Sequence, residues 1–479
     1  MNYRMIAYII GWVLNLEAIF MVPACITAVI YGEQELICLL LSMGLCLLIG
    51  IPLTIRKPAN RNYYAKEGCV TAALSWIIMS FMGSLPFIFS GVLSNPVDAM
   101  FETVSGFTTT GSSVITDIEI VPRCIVFWRS FTHWIGGMGV LVFLIALLPS
   151  AGNIQMNLMR AESPGPSVSR LVPKARSTAK ILYKLYLAMT LIQILLLLLG
   201  DMPLFDALTI TFGSAGTGGF GIKNDSMASY SVYCQVVVTI FMILFGVNFS
   251  FYFLLFIRRS LSAFKMEEVR WYFGIIAAAI LLITWDLQDI YSSTAAAVQQ
   301  AAFQVGSIIT TTGYATTDFN QWPSFSKTIL VMLMFTGSCA GSTGGGMKVS
   351  RFVILLKTIK KELHQYLHPQ SVKMIKMDGK PVEHEVLRST NVFVITYVII
   401  FAFSVLLLSL DEFDLVTNFT AVAATFNNIG PGLELAGPAS NFAFLSNPSK
   451  MVLTFDMLAG RLELFPLLLL FLRDTWKKF

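Results

Sequence analysis

Apolar runs of roughly 20 residues recur along the whole chain, separated by short polar stretches. Each run could cross the hydrocarbon core of a bilayer, about 30 Å thick, as an α-helix. The first two runs, 5–31 and 35–55, predict a helix pair. Four further pairs of helices are predicted after it. Their first helices lie at about 67–90, 177–200, 271–290 and 389–410, and their second helices begin near 123, 229, 325 and 449.

The segments inside these four pairs share one pattern. Each begins at a helix-start signal, continues for about three helical turns, and ends in small or polar residues and a glycine. A helix of that length cannot span a bilayer, but it can enter halfway and return. The start signals are Asn95-Pro96, Asp201 to Pro203, Ser293-Thr294 and Asp414, and the final glycines are Gly111, Gly218, Gly313 and Gly430.

The recurrence indicates an internal repeat of about 100 residues. Non-helical backbone at membrane depth is tolerated where protein buries it or where it lines a water-filled path. The alternative is that these four segments are ordinary outer loops with turn glycines. Their occurrence at matched positions in all four helix pairs disfavours that alternative. We therefore predict an all-α membrane protein, with an N-terminal helix pair and four repeats, each helix–pore helix–filter loop–helix, in pseudo-fourfold symmetry around one central pore. The predicted boundaries are 1–60 for the pair and 61–150, 151–262, 263–365 and 366–479 for the repeats, the last including a cytoplasmic hairpin.

The threonines and glycines that end these segments suit a dehydrated cation. A ring of backbone carbonyls can replace its hydration shell, and glycine allows the geometry that points them inward. The C-terminal ends of the short helices add partial negative charge. The candidate filter residues are Thr109, Thr110, Gly111, Gly216, Thr217, Gly218, Thr311, Thr312, Gly313, Asn428, Ile429 and Gly430. The acidic residues expected to attract cations to the mouth are Asp98, Glu102, Asp206, Asp411 and Glu434.

A glycine-rich stretch, "TGSCAGSTGGGMK", interrupts the second helix of the third repeat. Each glycine costs about 1 kcal/mol in a helix relative to alanine, so we expect a flexible loop that can cross the pore and move aside. A kinked helix used for close packing is the alternative. A phosphate loop does not fit, because Met347 precedes Lys348 and Val349 stands where Ser or Thr is needed. The glycines are Gly337, Gly341, Gly344, Gly345 and Gly346.

Arg461 is expected to lie about midway along the last apolar helix, between Met451 and Phe471. An arginine at bilayer depth costs at least ~2.5 kcal/mol, so it should face protein or water, and a functional role is the first expectation. A structural ion pair with Asp456 or Glu463 is the alternative. Neither acid lies three or four residues from Arg461, which weakens that alternative.

Composition and charge support a membrane protein. The chain is 55% hydrophobic and 13% charged, and the charged share is about half the ~25% of soluble proteins. Basic stretches alternate with acidic ones, so the positive-inside rule predicts that both termini are cytoplasmic. No set of side chains typical of an enzyme or a metal site is present, and nucleic-acid binding is not expected. The basic stretches are 54–68, 150–180, 258–270, 348–388 and 473–479.

Motifs over nearly the whole chain resemble the Trk/Ktr/HKT superfamily of potassium transporters, and most closely its bacterial TrkH-type potassium uptake subunits. Besides the four filter segments, they are "WRSFTHWIGGMGVLVF" (128–143), "RAESPGP" (160–166), "GSCAGSTGGGMKVSRF" (337–352) and "LAGRLELF" (458–465). The resemblance implies potassium as the transported ion, with Thr110, Gly111, Thr217, Gly218, Thr312, Gly313, Ile429 and Gly430 as its ligands. Glycine at position 111 is expected to favour potassium over sodium.

The resemblance also implies a homodimer in the lipid of the bacterial cytoplasmic (inner) membrane, with one pore per subunit. Separate cytosolic subunits of the TrkA type would bind nucleotide and control opening, while this chain binds none. The glycine-rich loop would be the gate, with Arg461 beside it. A hairpin predicted at Asp378-Gly379 and the 150–180 stretch form the candidate docking surface. Symport of potassium with sodium or protons is the alternative function; no acid–histidine relay is apparent within the helices, which disfavours proton coupling.

Overall fold

The computed structural model describes residues 1–59, 63–139 and 175–477. The motif at 160–166 and most of the 150–180 stretch therefore lie outside the described residues. Within the described residues, six helices are long and apolar enough to cross a membrane, or seven if one bent pair is counted as a span. The chain is a multi-span α-helical membrane protein.

The predicted N-terminal helix pair is present. Helix α1 (Tyr3–Tyr31) packs along α2 (Leu36–Ile55). The Asn2 side chain caps the start of α1, and Gly32 ends it in the left-handed conformation that glycine adopts without steric cost. The pair packs on the first of the four units that follow.

Four stretches of the described chain each contain a long helix, a short helix and a second helix, and we call them units. The first unit contains α3 (Ala65–Phe89), α4 (Pro96–Phe107) and α5 (Arg123–Met138). The second contains α6 (Ala175–Leu199), α7 (Leu204–Gly216), α8 (Val232–Phe245) and α9 (Phe249–Tyr252). The third contains α10 (Glu267–Asp286), α11 (Thr294–Ile309), α12 (Ser324–Thr336) and α13 (Val349–Leu367). The fourth contains α14 (His384–Leu408), α15 (Leu415–Phe426), α16 (Asn447–Arg461) and α17 (Phe465–Leu468).

The short helices begin at the predicted signals. Asn95, Ser293 and Asp414 each accept a hydrogen bond from a backbone N–H in the first turn of the helix that follows. Hydrogen bonds from the hydroxyl and backbone N–H of Thr417 lower the pKa of the Asp414 carboxyl, which favours its charged form at the positive end of α15. Helix α7 begins after Pro203 without a side-chain cap.

The units contact one another in a closed order. In the first three units, the second helix packs on the short helix of the next unit: α5 packs on α7, α8 on α11, and α12 on α15. Helix α16 of the fourth unit then packs on α4 of the first. The four short helices are therefore held by neighbours on a closed path.

All four second helices stop near the level where the short helices end. Helix α5 ends before Gly139 and α12 before Gly337, both with positive φ. A bend of 93° separates α8 from the segment that starts with α9. The glycine-rich stretch of the third unit is non-helical, as the sequence indicates.

The expectation for the last apolar run was wrong. Arg461 is the final residue of α16 and does not lie midway along a helix. Glu463 and Leu464 have φ of 54° and 68°, which break the helix. Tertiary contacts explain this conformation, because Leu464 is buried and Glu463 pairs with Arg351 of α13.

A long-range contact joins the two termini, and a tight turn joins the two strands of the predicted hairpin. The Tyr3 hydroxyl donates to the Trp476 carbonyl at 2.7 Å, so both ends of the chain lie on one side of the helical bundle. Strands β1 (Lys376–Met377) and β2 (Lys380–Pro381) pair antiparallel across Asp378 and Gly379, whose φ values are 51° and 78°. The predicted hairpin is therefore present.

Candidate functional site

Each short helix ends in the same turn. A residue in the left-handed conformation is followed by a residue whose N–H donates to a carbonyl five positions earlier, and a glycine with positive φ comes next. The left-handed residues are Thr109, Thr217, Thr311 and Asn428, with φ of 57°, 55°, 59° and 55°. The N–H donors are Thr110, Gly218, Thr312 and Ile429, at 2.9, 2.8, 2.8 and 2.7 Å. The glycines are Gly111, Gly219, Gly313 and Gly430.

This comparison of the turns corrects the register predicted for the second unit. Gly219, with φ of 74°, occupies the position of Gly111, while Gly218 corresponds to Thr110. Gly216 belongs to the end of α7. Two consecutive glycines follow Thr217, so the sequence did not distinguish which of them takes the left-handed backbone.

The four turns touch one another in a closed ring. A Cβ placed on Gly111 would overlap the carbonyl oxygen of Gly218 in the next turn. The same overlap would arise between Gly219 and Thr312, and between Gly313 and Ile429. A Cβ on Gly430 would lie 2.9 Å from the Thr110 oxygen, which closes the circle. We call this arrangement the carbonyl ring, formed by residues 109–111, 217–219, 311–313 and 428–430.

Side chains tie the first and fourth turns of the carbonyl ring together. The Ser112 hydroxyl donates to the Gly430 carbonyl at 3.0 Å. The Asn428 side-chain amide donates to the Thr110 hydroxyl at 2.9 Å and to the Met457 carbonyl of α16 at 2.9 Å. These hydrogen bonds hold the first and fourth turns in contact with each other and with α16.

His133 supports the second turn from within the protein. Its Nε2 accepts the Phe220 N–H at 3.2 Å, so Nδ1 carries the proton and donates to the Gly106 carbonyl at 2.7 Å. The imidazole ring of His133 is fully buried, and a Cβ on Gly218 would overlap it. His133 is thus a packing residue between the first two units.

A cavity of about 190 Å³ lies against one face of the carbonyl ring. Its lining includes all four ring glycines, together with Ser112, Phe220 and Pro431. Arg129 and Lys223 also reach it. An open, polar space therefore meets the ring on this face.

The acids expected at the mouth are largely engaged elsewhere. The buried Glu102 carboxylate pairs with Arg129 at 2.6 Å and accepts the Val114 N–H at 2.8 Å. Asp98 pairs with Lys450 at 2.7 Å. These partners offset the charges of Glu102 and Asp98, which weakens the expectation that the two acids attract cations to the mouth. The sequence alone could not reveal these two ion pairs, because each joins side chains on different helices.

The glycine-rich loop, residues 337–348, contacts the opposite side of the turns. Its Gly345 N–H donates to the Thr311 hydroxyl at 2.6 Å, and its Gly346 N–H donates to the Asn427 carbonyl at 3.0 Å. A Cβ on Gly345 would lie 2.5 Å from that carbonyl oxygen. The small residues therefore let the loop lie directly against the third and fourth turns.

Arg461 connects this loop to the first unit. Its Nη1 donates to the Thr343 carbonyl at 2.9 Å and lies 3.4 Å from the Thr109 hydroxyl. Its Nη2 donates to the Gly137 carbonyl at 2.9 Å. An ion pair with Asp456 or Glu463 is not formed among the described residues, since Ser404 binds Asp456 and Arg351 binds Glu463. Arg461 therefore binds backbone carbonyls, including one in the glycine-rich loop.

Lys348, the last residue of the glycine-rich loop, was not among the predicted site residues. The side chain is 2% exposed, and its ammonium group donates to the Gly344 carbonyl of the same loop. The signal in the sequence was a lysine close after a glycine-rich stretch within an apolar region, which could have marked it as a candidate site residue. Together with Arg461, it places two cationic groups on loop carbonyls.

A family model described as a cation transport protein, TrkH, matches residues 43–478. The chain belongs to the TrkH family. The Trk system potassium uptake protein TrkH of Salmonella typhimurium is 34% identical over 485 residues, covering 100% of both chains. The Trk system potassium uptake protein TrkG of Escherichia coli is 30% identical over 487 residues, covering 99% of both. The crystal structure of the potassium transporter TrkH from Vibrio parahaemolyticus matches 100% of both chains, with a TM-score of 0.89 and 32% identity.

The structure brings the candidate residues of this TrkH-family chain together at one place. The predicted filter residues lie in or beside the carbonyl ring, and the five glycines expected at the gate lie in the glycine-rich loop. Arg461 touches both. The TrkH family consists of cation transport proteins and is not a family of enzymes.

Proposed function

We propose that this chain is the potassium-conducting subunit of an uptake system in the bacterial cytoplasmic membrane. The observation that carries the proposal is the carbonyl ring, in which four turns from four units meet where only glycine fits. The names of the relatives, potassium uptake proteins, support potassium as the ion. The basic segments and the shared side of the two termini support an orientation with both termini in the cytoplasm.

In the proposed mechanism the four units are pseudo-fourfold repeats around one pore. Carbonyl oxygens at Thr110, Gly218, Thr312 and Ile429, and at the residues beside them, replace the water around a potassium ion. The C-terminal ends of α4, α7, α11 and α15 add partial negative charge at the same level. The turns are already fixed by hydrogen bonds and close packing, so ion binding requires little reorganisation.

The glycine-rich loop is the proposed gate. It lies against the turns from one side, and Arg461 and Lys348 hold its carbonyls. Both groups also place positive charge near the path of a cation that leaves the ring. Opening would require the loop to withdraw from Thr311 and Asn427.

We propose a homodimer with one pore per subunit, surrounded by membrane lipid. Cytosolic nucleotide-binding subunits of the TrkA type would dock on the hairpin and control the loop, while this chain binds no nucleotide. The hairpin supports this role because it is exposed and contacts the start of α10.

A second candidate function is symport of potassium with protons or sodium. Glu17 in α1 and Asp456 in α16 are buried, and each has a carboxyl oxygen without a hydrogen-bond partner among the described residues. Such groups could bind a proton inside the membrane. Channel conduction is the preferred proposal, because neither group belongs to the carbonyl ring or the glycine-rich loop.

Cation competition in proteoliposomes tests the proposal. Purified protein should take up radioactive rubidium into vesicles loaded with potassium, and external potassium should compete strongly. Sodium and lithium at the same concentration should compete weakly, and empty vesicles should show no uptake. Equal competition by sodium and potassium would contradict a potassium-selective ring.

A further inference from the structure

We propose that Glu268 is a positioning residue that latches the glycine-rich loop against the carbonyl ring. We further infer that the cytoplasmic hairpin sets the position of this latch through the start of α10. The inference rests on the proposed gating role of the loop and assigns its control to named residues.

The Glu268 carboxylate binds the middle of the loop. Its Oε1 accepts the Ala340 N–H at 2.6 Å, and its side chain is buried, with the residue 6% exposed. Its Oε2 lies 3.5 Å from the side-chain amide of Asn248, the residue at the bend between α8 and α9. A hydrogen bond from a backbone N–H to a buried carboxylate is stronger than one between neutral groups. The contact can therefore hold the loop in one place.

Glu268 complements the two cationic side chains that bind the same loop. Arg461 and Lys348 bind carbonyl oxygens of Thr343 and Gly344, whereas Glu268 binds an N–H. The negative carboxylate also attracts the buried Lys348 ammonium. Opposite charges thus hold neighbouring residues of a segment whose glycines give it little conformational preference.

The residue before Glu268 is held by the hairpin. The Asp378 carboxylate, in the hairpin turn, accepts the Glu267 N–H at 2.6 Å. The Glu267 side chain pairs with Lys357 of α13 at 2.6 Å, and the Lys357 ammonium donates to the Lys376 carbonyl of β1 at 2.7 Å. The hairpin therefore supplies a hydrogen-bond acceptor to a backbone N–H in the first turn of α10, where helical N–H groups have no partner within the helix. That N–H belongs to the residue directly before Glu268.

This geometry provides a path from the cytoplasmic surface to the loop. A partner that displaces the hairpin would remove the Asp378 contact and shift the first turn of α10. Glu268 lies in that turn, so the shift would stretch or break its hydrogen bond to Ala340. The loop would then be held by the cationic groups alone.

Cys339 provides a measurement that does not depend on flux. It is fully buried in the loop and precedes Ala340. In a variant whose other six cysteines are replaced, the rate at which a small water-soluble methanethiosulfonate modifies Cys339 reports release of the loop. Mass spectrometry of the purified full-length protein gives the rate, and rubidium flux without partner is measured in parallel.

We expect Glu268→Ala to accelerate Cys339 modification about tenfold, in line with the loss of one charged hydrogen bond. Glu268→Gln keeps an acceptor oxygen without the charge and should give a smaller rise. Asp378→Ala should also raise the rate, and combining it with Glu268→Ala should add nothing, because both act on one contact. Glu385→Ala, which removes an exposed acid from α14, should leave the rate unchanged.

Wild-type rates in Glu268→Ala and Glu268→Gln would overturn the latch. If Glu268→Ala does not fold, Glu268→Gln and the exposed-turn variant Asp378→Ala decide the question, and wild-type rates in both would overturn it equally. Faster modification together with higher flux supports the latch and the gate. Faster modification with unchanged flux would keep the latch and reject the gating role of the loop.

Discussion

Alanine substitution of the four ring glycines should impair selectivity to different extents. At Gly111, Gly219 and Gly313 the new Cβ would overlap a carbonyl oxygen of the neighbouring turn. At Gly430 the nearest oxygen is 2.9 Å away, about 0.6 Å short of ordinary contact. All four substitutions must therefore displace ring backbone, and the displacement is smallest at Gly430.

The energies follow from two contributions. An alanine in the left-handed conformation costs about 1–2 kcal/mol at any of the four positions. Overpacking adds about 1–3 kcal/mol where the Cβ overlaps the backbone. A loss of about 1.4 kcal/mol of potassium-specific stabilisation lowers a selectivity ratio tenfold. We expect the potassium-to-sodium permeability ratio to fall about tenfold or more for the first three variants and by a smaller factor for Gly430→Ala.

Bi-ionic reversal potentials on reconstituted protein measure these ratios. Gly91→Ala is a matched control, because Gly91 has φ of 75° and nothing within 4 Å of its Cβ position, so it carries the backbone penalty alone. A Gly219→Ala variant that folds and keeps wild-type selectivity would refute the register of the second turn. A Gly430→Ala variant more damaging than the other three would refute the ring geometry.

Two further changes test the gate and the docking surface. Arg461→Ala removes a charged hydrogen bond to the Thr343 carbonyl, worth about 1.5–3 kcal/mol, and should raise rubidium flux measured without the partner about tenfold. Arg461→Lys should give an intermediate flux. If a well-folded Arg461→Ala variant has a flux at or below that of the wild type, Arg461 is a purely structural residue. Deletion of 373–381 should leave membrane insertion intact and abolish control of flux by the nucleotide-binding partner; normal regulation would exclude the hairpin from the docking surface.

Local signals in the sequence predicted the elements that depend on local chemistry. Apolar runs of roughly 20 residues predicted the long helices, and the start signals at Asn95, Ser293 and Asp414 predicted three of the short ones. Asp378 and Gly379 predicted the hairpin because a tight turn needs two residues with positive φ. Repetition of the threonine and glycine pattern identified the segments that form the carbonyl ring.

Features that depend on distant contacts were not predictable. The break after Arg461 involves no glycine or proline and is stabilised by burial of Leu464 and by the Glu463–Arg351 pair. The Glu102–Arg129 pair joins α4 to α5 across a turn whose geometry the sequence did not specify. The contact of Glu268 with Ala340 likewise depends on how α10 meets the glycine-rich loop.

The central claim, conduction of potassium through the carbonyl ring, is tested most directly by the reversal potential of the purified protein in a planar bilayer. With sodium and proton concentrations equal on both sides, the potential should follow the potassium gradient by about 59 mV per tenfold change. Imposing a sodium or proton gradient at fixed potassium should not shift it. A shift with the proton gradient, or a sodium-dependent shift larger than the measured potassium-to-sodium permeability ratio allows, would contradict channel conduction and favour coupled symport.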